Sequence, residues 1–247
     1  MIRVVAEIAS TNSALLERLS QGEAPAEGHW LVADRQTAGR GRAGRVWTGG
    51  FGNFMGSTAV ALRDHEALPQ TLALVAGLSV HRALMAVVPE LVGLALKWPN
   101  DLFVGEAKLG GILLERQRDA VVVGIGVNLA EAPDVPGRKT ASLAGLGYSV
   151  GRDAFASALA ETWAEDLTAW HAGGWPMLRE AWLVRSLPRG TLLGVNLSEE
   201  GHLIGGFAGL EPDGAVLLRL ADGAVRAIHA GDVELIGAGG IGDASGG

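Results

Sequence analysis

Gly39-Arg40-Gly41-Arg42-Ala43-Gly44-Arg45-Val46-Trp47 sets three glycines among three arginines and closes on a tryptophan. Glycine lets a backbone approach a ligand closely, and arginine holds carboxylates and phosphates with a planar fork of donors. The whole chain has a formal net charge of -7, so three fixed positive charges within six residues mark a place where an anion binds. The plain alternative is a solvated, flexible loop, and the small stock of 20 Lys+Arg in 247 residues speaks against it. Gly39-x-Gly41-x-x-Gly44 matches a dinucleotide fingerprint in letters only. That fingerprint needs a helix opening at its third glycine, whereas Arg45-Val46-Trp47-Thr48-Gly49-Gly50-Phe51-Gly52 is no helix start. With Val46 the string also spells a kinase-type glycine loop, but no Val-Ala-Ile-Lys, His-Arg-Asp or Asp-Phe-Gly follows. A Walker loop is excluded, because Gly-Lys-Ser/Thr occurs nowhere.

Working outward, Met1–Ala6 reads as a strand, and Ser10-Thr11-Asn12 opens a helix that runs to about Leu19. His29–Ala33 is a short strand feeding directly into the arginine segment. Asn53–Leu62 follows as a strand, with Thr58, Val60 and Leu62 on one side. Leu68–Val88 carries Leu72, Val75, Ala76, Leu84 and Val87 at helical spacing. Strands are expected at Leu94–Trp98, Lys108–Glu115 and Ala120–Asn128, and amphipathic helices at Asp153–His171 and Trp175–Val184. At Pro188-Arg189-Gly190 the character changes to five short strands: Thr191–Asn196, Leu203–Leu210, Ala215–Leu220, Ala224–His229 and Val233–Ile236. These read as a small barrel. The expected organisation is an α+β domain over 1–186, a β-barrel over 187–237 and a flexible glycine-rich tail over 238–247.

Hydrophobic content of 48% with 19% charged residues describes a soluble globule with ample core. There is no cysteine, which removes disulfides, thiolate metal sites and cysteine nucleophiles together. His29, His65, His81, His171, His202 and His229 are scattered without ligand spacing, so no zinc site is expected. The N-terminus lacks a signal-peptide pattern, and the uncharged helical stretch Ala67–Val80 is too short for a membrane span. A cytoplasmic protein with no membrane partner is expected.

Three further clusters stand out. Lys97-Trp98-Pro99-Asn100-Asp101 ends a strand and turns at Pro99, presenting Asn100 and Asp101 at its carboxyl end; an Asn-Asp turn beside a lysine is the alternative. Lys108-Leu109-Gly110-Gly111-Ile112-Leu113 sends a lysine towards the same end of the sheet as Asp101. Gly124-Ile125-Gly126-Val127-Asn128 places two glycines and an amide on a buried strand. Ser10-Thr11-Asn12 adds three short polar side chains, of which Ser10 alone would be a helix cap.

Gln36, Gly39–Arg45 with Trp47, Lys97–Asp101, Lys108–Leu113 and Gly124–Leu129 stand in the order and spacing of the biotin protein ligases, which the chain resembles over nearly its whole length. The resemblance implies a mixed-sheet catalytic domain of the biotin/lipoate ligase, class II synthetase-like type, with an SH3-like C-terminal β-barrel. It implies activation of biotin by ATP to biotinyl-5′-AMP, then transfer to a lysine of a biotin carboxyl carrier protein of acetyl-CoA carboxylase or a related carboxylase. By that pattern Lys108, Arg42 and Arg40 are catalytic. Biotin would meet Ser10, Thr11, Asn12, Gln36, Arg40, Gly41, Arg42, Trp47, Lys108 and Gly111. ATP would meet Gly39, Arg40, Arg42, Arg45, Trp47, Lys97, Asn100, Asp101, Lys108 and Asn128. Asp101 would touch Mg²⁺ brought with ATP. Many bacterial members begin with a helix-turn-helix repressor domain; this sequence starts at the catalytic motifs, so no DNA partner is expected, and the protein would be a monomer or homodimer.

The chemistry suits these residues. A carboxylic acid of pKa near 4 is ionised at pH 7, so the first step needs no general base. Its obstacle is repulsion between carboxylate and polyphosphate, roughly 4 kcal/mol for two charges at ~4 Å and an effective dielectric of 20. Fixed cations and Mg²⁺ would cancel it. Octanoyl transferases of related fold need a cysteine that is absent here. A lipoate-protein ligase would leave Ser10, Thr11, Asn12 and Gln36 without purpose, at about 1–3 kcal/mol per unpaired buried group. A nucleic-acid-binding module built on the arginine loop would need a broad basic face, which an acidic chain does not offer. The loop is expected to stay mobile, its arginines repelling one another, until an anion arrives.

Overall fold

The structure is a computed structural model that describes residues 1–64, 67–197 and 201–236. The tail expected at 238–247 and His65 lie outside the described residues. The chain opens with β1 (Ile2–Ile8), α1 (Thr11–Ser20) and β2 (Trp30–Gln36), and the two strands pair in parallel from Ile2↔Trp30 to Ile8↔Gln36. β3 (Phe54–Ala61), α2 (Leu72–Val87), β4 (Leu94–Lys97), β5 (Asp101–Val104), β6 (Ala107–Gln117), β7 (Ala120–Val127), α3 (Arg152–His171) and α4 (Trp175–Val184) follow. Strand order is β1-β2-β3-β7-β6-β5-β4, and every pair after the first is antiparallel.

Successive side chains along a strand face opposite sides, and the two sides of this sheet are covered unequally. Val60, Val121, Val123 and Ile125 face a core built by α2, α3 and α4 with Leu72, Val75, Leu84, Phe155, Leu159 and Trp163. Trp30 packs edge-on against Trp163, and Phe54 against Phe155. On the other side Ala59, Ala120 and Val122 meet Leu15, Leu16 and Leu19 of α1. A ten-residue helix is only about 15 Å long. Past the N-terminal end of α1 that face of the sheet is open.

Two expectations need amending. β5 falls inside a stretch read as a turn and its sequel, because a four-residue strand that begins with aspartate gives too short a pattern to register. Pro69–Val87 is, by length and composition, long and apolar enough to cross a membrane, but its apolar window is 67% buried against the body.

The C-terminal strands are β8 (Leu192–Leu197), β9 (Gly201–Leu210), β10 (Val216–Arg219), β11 (Val225–Ile228) and β12 (Asp232–Leu235). They form an antiparallel sheet in the order β11-β10-β9-β8-β12. The expected barrel is not closed by pairing of β11 with β12 among the described residues. β12 instead offers a backbone carbonyl to the body, where Lys97 Nζ donates to the Val233 oxygen at 2.6 Å. Trp98 Nε1 and Trp175 Nε1 donate to the carbonyls of Gly214 and Pro212, and Leu193, Val195, Phe207 and Val216 join the main core. The small sheet is therefore a wall of the body rather than a loose appendage.

Candidate active site

The open face of the sheet is the floor of a cavity of about 970 Å³. Directly opposed residues share a face, and one cross-strand row runs Lys97↔Asp101↔Gly111↔Gly126↔Met55. A neighbouring row runs Leu113↔Gly124↔Ser57. The glycines keep this floor low because other groups need the space. A methyl on Gly124 would collide with the Asn12 carboxamide, and one on Gly126 with the Trp47 ring. Lys108 would fall on the wrong face by simple alternation from Gly111. A β-bulge between the Leu102↔Gly110 and Phe103↔Lys108 pairs restores it to the cavity side.

One end of the cavity is neutral and rich in hydrogen bonds. Ser10 caps α1 by accepting from the Ser13 amide, which brings Thr11 and Asn12 to the first helical turn, both buried. The Thr11 amide donates to Gln36 Oε1 at 2.7 Å, which leaves the Gln36 amide nitrogen as a donor. The Thr11 hydroxyl lies 2.6 Å from Ser57 Oγ, Ser57 donates to Asn12 Oδ1 at 2.6 Å, and Asn12 Nδ2 donates to Glu115 Oε2 at 2.9 Å. The Ser57 and Asn12 protons point towards the Glu115 carboxylate, while the Thr11 hydroxyl also reaches Gln36 Oε1 at 3.2 Å, so the orientation of both amides is set by their partners.

The other end is cationic. Lys108 Nζ lies 2.5 Å from Asp101 Oδ1 and 5.9 Å from the centre of the Trp47 ring. Lys97 Nζ lies 3.6 Å from Asp101 Oδ2, and burial pushes its ammonium below the ordinary lysine range, against the pull of Asp101. Arg42 donates to Asn100 Oδ1 at 3.0 Å and to the Gly231 carbonyl at 3.3 Å. Burial likewise lowers its pKa, with Asp101 and Asp232 acting in the opposite sense. Arg45 holds Asp232 with two bonds of 2.9 Å. Burial would raise the Asp232 pKa, but Arg45, with Arg138 and Arg42 behind it, holds it below the usual carboxylate range. Among the described residues seven basic side chains and four acidic ones line the cavity, a positive surplus in an acidic protein.

Every residue expected to meet biotin or ATP lines this cavity except Gly39. Gly39 lies beneath it, its carbonyl accepting from the Trp47 amide at 3.0 Å, with the Trp47 carbonyl leaving no room for a side chain. The structure gathers Ser10, Thr11, Asn12 and Gln36 at one end, and Arg42, Lys97, Asn100, Asp101, Lys108 and Gly111 at the other. Arg40 departs from the expected pattern: it reaches Ser13 Oγ and ion-pairs with Glu115, at the neutral end. Each of the three arginines has its own acceptor, and Arg45 acts on Arg42 as a like charge. Asn128 donates to the Ala141 carbonyl, and its Oδ1 is buried with no partner, an acceptor in the cavity lining.

Three contributors escaped the sequence reading. Ser57 sits beside Thr58 in an otherwise apolar strand, where the pair of hydroxyls was the available signal. Glu115 was read as the end of a strand. Asp232 is 187 residues from Arg45, and no local pattern could join them. Asp101 does not by itself make a metal site: its two oxygens face Lys97 and Lys108, and no three His, Cys, Asp or Glu residues gather among the described residues.

Comparison with known proteins gives the family and the fold. Residues 4–129 match the Biotin/lipoate A/B protein ligase family, and residues 195–236 match the biotin protein ligase C terminal domain. The chain is 35% identical over 224 residues to a biotin--[acetyl-CoA-carboxylase] ligase of Paracoccus denitrificans, covering 86% of this chain and 92% of that protein. It is 35% identical over 237 residues to the ligase of the same description from Mycobacterium tuberculosis, covering 93% and 87%. The structure of a biotin protein ligase from Aquifex aeolicus in complex with biotin and ATP superposes with a TM-score of 0.82 at 28% identity, over 95% of this chain and 99% of that one.

Proposed function

The chain belongs to the biotin/lipoate A/B protein ligase family, and on that premise we propose that this cavity activates biotin with ATP and passes the biotinyl group to a lysine of a carboxylase carrier domain. The observation that carries the reading is the division of one cavity into a neutral, donor-and-acceptor end and a cationic end. A ureido ring presents two N–H donors and one carbonyl. The Gln36 amide nitrogen and the Ser10 hydroxyl can donate to it, and the Thr11 oxygen can accept. At the other end the acid's carboxylate and the α-phosphate meet over the glycine floor beside Lys108 and Arg42.

In the first step a carboxylate oxygen bonds to the α-phosphorus, and the bond from phosphorus to the bridging oxygen of pyrophosphate breaks. Lys108 and Arg42 neutralise the two approaching anions and hold them in line, an electrostatic and positioning role that requires no proton transfer. Lys97, Asn100 and the unpaired Asn128 oxygen lie where the nucleotide would extend. Trp47 walls the apolar chain. In the second step the carrier amine attacks the acyl carbon and AMP departs. Mg²⁺ enters as part of the ATP substrate, on its phosphates. No DNA partner is required by this reading, since each arginine of the loop already has an acceptor within the protein.

The test is exchange of labelled pyrophosphate into ATP, compared across biotin, lipoate and octanoate. Exchange should depend on biotin. Equal exchange with lipoate, or exchange without added acid, would refute the assignment.

A further inference from the structure

Only three of the 20 Lys+Arg residues are lysines, and all three, Lys97, Lys108 and Lys139, line the cavity. Two are engaged inside it. Lys97 is 3% exposed and held by the Val233 carbonyl and Asp101, and Lys108 faces Asp101. Lys139 differs. Its side chain is 72% exposed at the rim, and its partner Glu106, at 2.5 Å, is itself on the surface, so solvent screens the pair and it opens readily. The Lys139 backbone is joined to the reacting end of the cavity: its carbonyl accepts from the Lys108 amide at 2.9 Å, and Thr140 bridges to Lys108.

We propose that Lys139 is an acyl acceptor for the adenylate made in its own cavity, so that the enzyme biotinylates itself there when no carrier lysine fills the mouth. This rests on the adenylate-forming reading above. The deprotonated Lys139 amine attacks the acyl carbon; a C–N bond forms, the C–O bond to phosphate breaks, AMP leaves with the electron pair, and the displaced proton passes to solvent. Tethering at the rim of the same cavity supplies the proximity that a free amine in solution lacks. Competing amines are scarce. Arginine stays protonated and does not serve. The Met1 amine lies at the start of β1, whose far end Ile8 pairs with Gln36 of the cavity; seven residues of strand separate them, on the order of 20 Å.

The experiment incubates the purified protein with biotin, ATP and Mg²⁺ in the absence of carrier, and follows intact mass and peptide maps beside pyrophosphate exchange. The expected result is a gain of one biotinyl group located on Lys139, suppressed by excess carrier domain and reduced at least tenfold in Lys139→Arg while exchange continues. Label that persists in Lys139→Arg, label on Lys97, Lys108 or Met1, or no label while exchange proceeds would each overturn the proposal. Absence of biotin-dependent exchange would refute the adenylate reading itself, and self-acylation with it.

Discussion

Lys108 Nζ stands 2.5 Å from Asp101 Oδ1 across the β5–β6 pair, on the cavity face only because a bulge lies beside it. Asp101 thereby holds the Lys108 ammonium over Gly111 of the cavity floor, while Lys97 on its other oxygen keeps the carboxylate from being left unpaired.

Replacing Lys108 by alanine should slow formation of the adenylate by ~10²–10³, the usual cost of losing one preorganised electrostatic stabiliser. Lys108→Arg should recover little, because a planar fork cannot take the place of a point charge beside Asp101. Single-turnover measurement of biotinyl-AMP formation checks this. A near-normal rate in Lys108→Ala would show the lysine to be a strand-end ion pair without a role in the reaction.

Glu115 accepts from Asn12 and pairs with Arg40, so it should act on acid binding through them. Glu115→Ala frees the Asn12 carboxamide to turn and leaves the buried polar chain from Thr11 incomplete, at a cost of about 1–3 kcal/mol. The KM for biotin should rise roughly 5- to 150-fold with a smaller change in kcat. A loss confined to kcat, with KM unchanged, would contradict the positioning role.

The loop carrying the three arginines is tied to the small sheet through Arg45 and Asp232, both partly exposed. Asp232→Asn removes one charge of a bidentate pair whose worth at the surface is up to about 1 kcal/mol. Tryptic cleavage after Arg40, Arg42 or Arg45 should therefore quicken about 2- to 5-fold, and biotin with ATP should slow it again by mass action. Equal cleavage in the two proteins would mean that the small sheet does not restrain the loop.

His81 on α2 gives a pH signature. Burial, aided by Arg185, pushes it down to about 4, whereas an unfolded histidine titrates near 6.5. Between these values the unfolded chain binds a proton that the folded chain refuses. Stability from this group is thus complete above pH 6.5 and is lost as pH falls to about 4, a difference of about 3 kcal/mol. His81→Gln should show a correspondingly smaller loss in denaturant titrations at pH 4.5 against pH 7. An identical pH dependence would mean that His81 is charged in the folded protein.

Local pattern was enough for most of the elements, and the resemblance for the biotin- and ATP-contacting residues it named, all but Gly39 of which line the cavity. Ser10 at a helix start, glycines within aliphatic runs and arginines among glycines each follow from the conformational or chemical limits of single residues, which neighbours in sequence already display. α4 falls at Trp175–Val184, as its periodicity alone required. The tertiary structure decided what depends on pairing across the sheet. The bulge that re-aims Lys108, the row that sets Asp101 beside Gly111 and Gly126, and the separate acceptors found by Arg40, Arg42 and Arg45 join residues from five to nearly two hundred positions apart. Alternation along one strand carries no information about register with the next, so no reading of the chain in one dimension could place Glu115 beneath Asn12 or Asp232 against Arg45.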